Sequence, residues 1–112
     1  MADKLFVLRP GFDDNGTRYF CPYSAQVIGF LAYFPQVKET LELIELDFPK
    51  PRHPLSDLLG ESHQSAPKLV LDGEGVDVPH VTRHHSNGNT YVEKTLEILR
   101  YLAVTRGVPV PH

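Results

Sequence analysis

Cysteine is scarce in this sequence of 112 residues, which contains Cys21 and no other. A single cysteine excludes an intramolecular disulfide, and it also excludes a cysteine-rich zinc site. Any redox chemistry in this protein must therefore involve a second molecule.

Long apolar runs and an excess of positive charge are also missing. No run approaches the ~20 residues that span a bilayer, and the apolar stretch 5–8 is too short for the core of a signal peptide. The formal charge of −3 leaves no broad basic field for nucleic acid. We therefore expect a cytoplasmic protein that binds neither membrane nor nucleic acid.

What the sequence does contain is ordinary for a globular protein. Hydrophobic residues make up 41% and charged residues 22% of the chain. Its length suits one domain with a core of its own. We expect residues 1–112 to form a single domain.

Hydrophobic patterns predict alternating strands and helices. Strands are predicted at 4–9, 41–47, 67–71 and 76–78, a long helix at 22–34, a short helix at 55–59 and a last helix from Thr90 to Arg106. The stretch 12–20 is predicted as a polar loop with a tight turn at 14–16, and 49–52 as a rigid connector.

The connections between these elements indicate the fold class. The first two strands are separated by a helix and can pair in parallel, whereas a turn at 72–75 makes the last two antiparallel. The pattern Thr90-x-x-Glu93 is typical of a capping box that opens the last helix. The expected class is α/β, with a mixed four-stranded sheet and helices on both faces.

Two segments carry a resemblance to known proteins. Cys21-Pro22-Tyr23-Ser24, between the first strand and the first helix, resembles the motif of the glutaredoxin and thioredoxin superfamily. The segment 64–69 resembles the Ser-x-Pro-x-Leu segment of glutathione-transferase N-terminal domains, whose proline is cis. The resemblance implies a thioredoxin-like fold, with a cis bond between Ala66 and Pro67.

Nearly the whole chain is also similar to a small bacterial family of thioredoxin-like domains. The matching segments are 9–12, 20–24, 49–52 and 60–67. This resemblance implies the fold and is silent about an activity. Two departures from ordinary glutaredoxins are a longer loop at 10–20 and Ser24 in place of a second cysteine, and both argue against dithiol chemistry.

The position of Cys21 favours a reactive thiol. Unpaired backbone N–H groups and the helix dipole at a helix N-terminus both favour a thiolate. Ser24 could donate a hydrogen bond to the sulfur, and Arg18 could add positive charge, against Asp13 and Asp14. The alternative is an inert buried thiol, which is the usual state of a lone cysteine.

The resemblance also implies a glutathione site. Pro22 and Tyr23 would flank it, and a cis Pro67 would expose the backbone of Ala66 for pairing with glutathione. The carboxylate of the γ-glutamyl group would be held near the last helix, by Ser86 or Thr90.

Two functions from different classes remain open at this point. One is a monothiol glutaredoxin-like thiol–disulfide oxidoreductase, with Cys21 as nucleophile and glutathione or a thiol or disulfide protein as partner. The other is a non-catalytic binding or assembly module that kept the fold. The sequence does not decide between them, and it leaves a homodimer open.

A metal site is not expected. His80, His84, His85 and Cys21 could be imagined as ligands, but adjacent residues point in different directions and no structural-zinc spacing is present. The same sequence gives no sign of a tightly bound cofactor. We expect these histidines to be solvated loop residues.

Overall fold

The computed structural model describes residues 2–112. In chain order the elements are β1 (Asp3–Leu8), β2 (Phe12–Asp14), β3 (Thr17–Tyr19), α1 (Pro22–Tyr33), α2 (Pro35–Lys38), β4 (Leu41–Leu46), α3 (Leu55–Leu59), β5 (Lys68–Val70), β6 (His84–Ser86), β7 (Asn89–Val92) and α4 (Thr95–Arg106). None of the helices within 2–112 has the length and apolar character needed to cross a membrane.

A mixed sheet forms the centre of the molecule, in the strand order β4-β1-β5-β7-β6. β1 and β4 are parallel, with Asp3 opposite Leu41 and Leu8 opposite Leu46. β5 is antiparallel to both β1 and β7, and β6 is antiparallel to β7. The α/β class and the mixed sheet are confirmed, but the expected count of four strands is wrong because the sheet has five.

The predicted strand at 76–78 is not formed. The backbone N–H of Val76 donates instead to the Tyr101 hydroxyl of α4, at 3.2 Å. Gly73 and Gly75 both have positive φ, so the chain turns compactly against that helix. On the side away from β1, the antiparallel neighbour of β5 is β7, from a segment in which no strand was predicted.

The last helix begins later than predicted. Thr90 lies in β7, where its carbonyl oxygen accepts the N–H of Leu71 at 2.8 Å. α4 starts at Thr95 with Lys94 as its N-cap, and it ends at Gly107, whose left-handed φ of 73° fits the predicted C-terminal glycine. The capping-box prediction is wrong because β7 pairs with β5 through Tyr91 and Val92, which lie between Thr90 and Glu93.

The segment predicted as a polar loop is a β-hairpin. Phe12 of β2 lies opposite Tyr19 of β3, and the tight turn falls at Asn15 and Gly16. Both turn residues have positive φ, 51° and 84°, as a two-residue hairpin turn requires. The turn was predicted correctly, but the strands on either side of it were missed.

Helices cover both faces of the sheet, as predicted. Alternate residues of β1 point to opposite sides, so Leu5 and Val7 join the larger core and Phe6 joins the smaller one. The larger core also takes buried residues of α1, α2 and α4, including Val27, Val37 and Leu102. The smaller core takes Leu55 and Leu59 of α3.

Candidate functional site

Cys21 is the N-cap residue of α1. Its backbone is extended, with φ −81° and ψ 113°, and Pro22 follows at the first helical position. The Cys21 sulfur accepts the backbone N–H of Ser24, with an N···S distance of 3.4 Å. The half-buried thiol therefore caps one of the free N–H groups of the helix, as the sequence predicts.

A cis peptide bond lies beside this thiol. The bond between Ala66 and Pro67 is cis, as predicted, and the Ala66 carbonyl oxygen is 3.7 Å from Cys21 Sγ. Only a protonated thiol can donate to that oxygen, whereas the N–H of Ser24 also suits a thiolate. The two contacts of the sulfur thus favour opposite protonation states.

The hydroxyl of Ser24 has a different partner from the one proposed. Ser24 is only 3% exposed, and its Oγ accepts the backbone N–H of Leu8, at the end of β1, at 3.1 Å. The recorded contact of residue 24 with the sulfur comes from the backbone. The side chain joins the start of α1 to the end of β1.

Arg52 is a second cation of this region, and sequence reasoning did not single it out. Burial lowers the pKa of the Arg52 guanidinium, and the charge of the Cys21 thiolate raises it. Arg18, the cation considered from sequence, is exposed on β3 with its Nε 4.0 Å from an oxygen of Asp13. Arg52 lies in the connector between β4 and α3, where Lys50–Pro51 and His53–Pro54 are also cis.

An open pocket of about 930 Å³ lies next to the cis bond. Tyr23 and Gln26 of α1 form one side, Ser65, Ala66 and Pro67 another, and residues 93–97 at the start of α4 the third. Of the residues predicted to bind a ligand, it contains Tyr23, Ala66 and Pro67. Pro22 lies in the first turn of α1 and is absent from this lining.

Ser86 and Thr90 do not line this pocket. The Ser86 hydroxyl donates to the Leu59 carbonyl oxygen at 2.7 Å, in the contact between β6 and α3. Thr90 is buried in β7. The residues at the start of α4 are instead Glu93, Lys94 and Thr95, because that helix begins later than the sequence suggested.

A buried lysine contacts two residues that line the larger pocket. Lys68 is 1% exposed, its Nζ donates to Ser65 Oγ at 2.9 Å, and it lies 3.6 Å from a carboxylate oxygen of Glu93. Burial lowers the pKa of Lys68, and the charge of Glu93 and a hydrogen bond to it act in the opposite direction. Burial and the charge of Glu93 both raise the pKa of Tyr91, whose ring faces the lysine.

A second, smaller pocket of about 270 Å³ opens at the thiol. Cys21 borders it together with Phe20, Ile28 and Glu45. Phe20 and Ile28 are exposed apolar side chains, and the Glu45 carboxylate lies 3.9 Å from Arg9 Nε. Cys21 therefore lines the smaller pocket along an apolar rim, and it is absent from the lining of the larger one.

The histidines considered as metal ligands have different partners and do not form one group. His84 stacks on Tyr91 with ring centroids 5.3 Å apart, and His85 Nε2 lies 3.0 Å from a carboxylate oxygen of Glu74. His80 occupies a loop with positive φ. Across residues 2–112, no three His, Cys, Asp or Glu side chains are grouped so that they could hold a metal ion.

Comparison with known proteins adds a family to this description. No curated protein and no solved structure matches the chain. One family model matches residues 2–110, which is nearly the full length, and its description is "Protein of unknown function (DUF3088)". On this match, the chain belongs to the DUF3088 family.

Proposed function

We propose that this protein is a monothiol thiol–disulfide oxidoreductase with a thioredoxin-like fold, and that glutathione is its co-substrate. The contact between Cys21 and the cis-proline loop carries the proposal. A thiol at the N-terminus of a long helix lies 3.7 Å from the carbonyl oxygen that precedes a cis proline. A substrate chain that pairs with the Ala66 backbone would therefore meet the sulfur.

The arrangement of elements supports the proposed fold. β1, α1 and β4 form a parallel unit, and β5 and β7 form an antiparallel pair followed by α4. Together these four strands form a mixed sheet, which is the observation that supports the proposed fold. β6 adds a fifth strand at the edge, beyond β7.

The chemistry of the larger pocket suits one end of glutathione. The N-terminus of α4 opens there with no side-chain cap, so its free N–H groups favour a carboxylate. The Glu93 carboxylate lies in the same lining and favours an ammonium group. The γ-glutamyl end of glutathione carries both groups on one carbon.

The proposed reaction has two balanced steps. The Cys21 thiolate attacks the glutathione sulfur of a mixed disulfide, so that a Cys21–glutathione disulfide forms and the substrate leaves as a thiolate. The thiolate of a second glutathione then attacks this disulfide at the glutathione sulfur. Oxidised glutathione leaves, and Cys21 is returned as a thiolate. No second cysteine is required.

Turnover of a peptide–glutathione mixed disulfide tests this proposal. We expect reduction by the wild-type protein with glutathione, and loss of that activity in Cys21→Ser. Absence of turnover by the folded wild-type protein would refute the proposal.

Two exposed tyrosines of α1 provide a matched test of the pocket. Tyr23 lines it and is 58% exposed, whereas Tyr33, 82% exposed, lies at the other end of the helix. We expect Tyr23→Ala to raise the KM for glutathione several-fold, since an aromatic contact contributes about 1 kcal/mol. Tyr33→Ala should leave that KM unchanged. Equal effects of the two substitutions would place glutathione elsewhere.

One observation favours the alternative function, a non-catalytic binding module. The Cys21 thiol is placed to donate to the Ala66 carbonyl oxygen, which stabilises the neutral form. A module of this kind would show a thiol that alkylates no faster at neutral pH than free cysteine. The free thiol also fits the cytoplasmic location that we propose, because thiols are kept reduced there.

A further inference from the structure

Arg52 is a buried cation that has no carboxylate partner among residues 2–112. It is 8% exposed, and within that range no carboxylate oxygen lies within 4.0 Å of its guanidinium. Its Nε donates to the Phe48 carbonyl oxygen at 2.7 Å, and its Nη1 donates to the Gln64 carbonyl oxygen at 3.0 Å. Carbonyl oxygens carry only partial charge, and buried charges in proteins are usually paired.

The side chain of Arg52 is held in place from several directions. The guanidinium carbon lies 5.2 Å from the centre of the Phe48 ring, and the Arg52 backbone N–H donates to Gln64 Oε1 at 2.6 Å. Gln64 Nε2 in turn donates to the Glu61 carbonyl oxygen. A cation fixed in this way does not have to reorganise when a negative charge forms near it.

The same loop contacts both the guanidinium and the thiol. Gln64 accepts from Arg52, and Ala66, two residues further on, accepts from the Cys21 thiol. We propose that Arg52 is the positioning cation of Cys21, and that its buried charge stabilises the thiolate and is balanced by it. This inference deepens the proposed function, because it assigns the residue that prepares the nucleophile.

The effects on the pKa of Arg52 agree with this placement. Burial lowers it, and the charge of Cys21 raises it. A favourable interaction between two groups acts on both of them, so the guanidinium that gains from the thiolate also stabilises it.

Other groups around the thiol do not supply this positive charge. The first turn of α1, residues 22–25, is uncharged. Glu45 of β4 borders the same small pocket as Cys21 and would oppose a thiolate, but it lies 3.9 Å from Arg9 Nε. On the hairpin, Arg18 is exposed and within 4.0 Å of an Asp13 carboxylate oxygen.

Alkylation of Cys21 by iodoacetamide at two pH values tests the inference. In Arg52→Gln we expect the rate at pH 7 to fall by about tenfold, since the lost cation reduces the thiolate fraction. The rate at pH 10, well above the ordinary pKa of a cysteine thiol, should stay the same. Arg52→Lys should recover part of the rate at pH 7. Arg18→Gln, which removes an exposed cation, should match the wild type.

The readout separates a charge effect from a structural one. Loosening of the connector would change the access of the reagent at both pH values, whereas loss of the charge changes only the rate at pH 7. Wild-type rates for Arg52→Gln at both values would overturn the inference, even if the wild-type protein reduces mixed disulfides. The predicted shift in a protein that shows no turnover would uphold the inference and refute the proposed function.

A measurement on the unaltered protein covers the case in which Arg52→Gln does not fold. A fixed cation attracts a negatively charged reagent, so the rate ratio of iodoacetate to iodoacetamide should exceed that of a cysteine peptide. Added salt should weaken part of this preference. A ratio equal to that of the peptide would contradict the inference.

Discussion

At the scale of single residues, the site contains one sulfur atom whose two contacts favour opposite protonation states. The N–H of Ser24 donates to Cys21 Sγ, and the carbonyl oxygen of Ala66 lies on another side of it. Cys21 and the cis bond at Pro67 could be predicted because both belong to short motifs within the sequence. Arg52 could not, because its contact with the loop beside the thiol is made through Gln64, twelve residues away, and depends on folding of the whole connector.

The serine of the motif gives a test at this scale. In Ser24→Ala the backbone N–H that contacts the sulfur is kept, while the Leu8 N–H loses its recorded side-chain acceptor in a buried position. We expect the free energy of unfolding to fall by about 1–2 kcal/mol, as measured by urea denaturation. Alkylation of Cys21 at pH 7 should change by less than about twofold. A much slower alkylation in the folded variant would show that the hydroxyl itself acts on the sulfur.

The buried Lys68 makes stability depend on alkaline pH. Its pKa is lower in the folded protein than its ordinary value of 10.5, so between the two values the unfolded chain binds more protons. Stability contributed by this group therefore rises as pH increases through that window, and it is smallest at neutral pH. Lys68→Met removes the charged group and keeps a side chain of similar length.

Urea denaturation at pH 7 and pH 10 measures this effect. The stability of Lys68→Met relative to the wild type should be higher at pH 7 than at pH 10, since the wild type regains stability when Lys68 is neutral. The same comparison for the exposed Lys38→Met should show no such change between the two pH values. A constant difference for Lys68→Met would contradict the assigned direction of the pKa shift.

At the scale of elements, the sequence predicted the parts that local pattern determines. β1, α1, β4, α3 and β5 agree with prediction to within about two residues, because apolar spacing, proline and glycine mark them. β6, β7 and the start of α4 were missed. Thr90 and Glu93 match the residue types of a capping box. Tyr91 and Val92, which lie between them, are buried and pair with β5 in the sheet. Pairing between distant segments therefore determined the structure of this region more than the local pattern did. As a result, Ser86 and Thr90, the expected ligand residues, do not line the pocket.

The turn between β5 and β6 offers a matched pair of glycines. Gly73 and Gly75 have similar positive φ, 72° and 70°, so alanine is strained at both. A Cβ at Gly73 would meet nothing within 4 Å, whereas at Gly75 it would lie 2.5 Å from Leu71 Cδ1 and 2.7 Å from the Tyr101 hydroxyl. We expect Gly73→Ala to cost about 1 kcal/mol of unfolding free energy, and Gly75→Ala to cost at least 1 kcal/mol more. Equal losses in urea denaturation would show that the turn is not packed against α4.

At the scale of the whole molecule, the two faces of the sheet contribute different elements to the site. α1 and α4 pack on the larger core, and their N-terminal ends meet the cis-proline loop at the large pocket. The connector and α3 lie over the smaller core, and they bring Arg52 to the loop that contacts the thiol. The loop 64–67 therefore contacts both Cys21 and Arg52, and it also lines the larger pocket.

The central claim is that Cys21 forms a mixed disulfide with glutathione, and mass spectrometry of the intact protein tests it most directly. After incubation with oxidised glutathione at neutral pH, we expect one glutathione per chain, attached at Cys21 and removed again by reduced glutathione. Cys21→Ser should acquire none. An unmodified wild-type protein, under conditions in which an unstructured cysteine peptide is fully modified, would contradict the account.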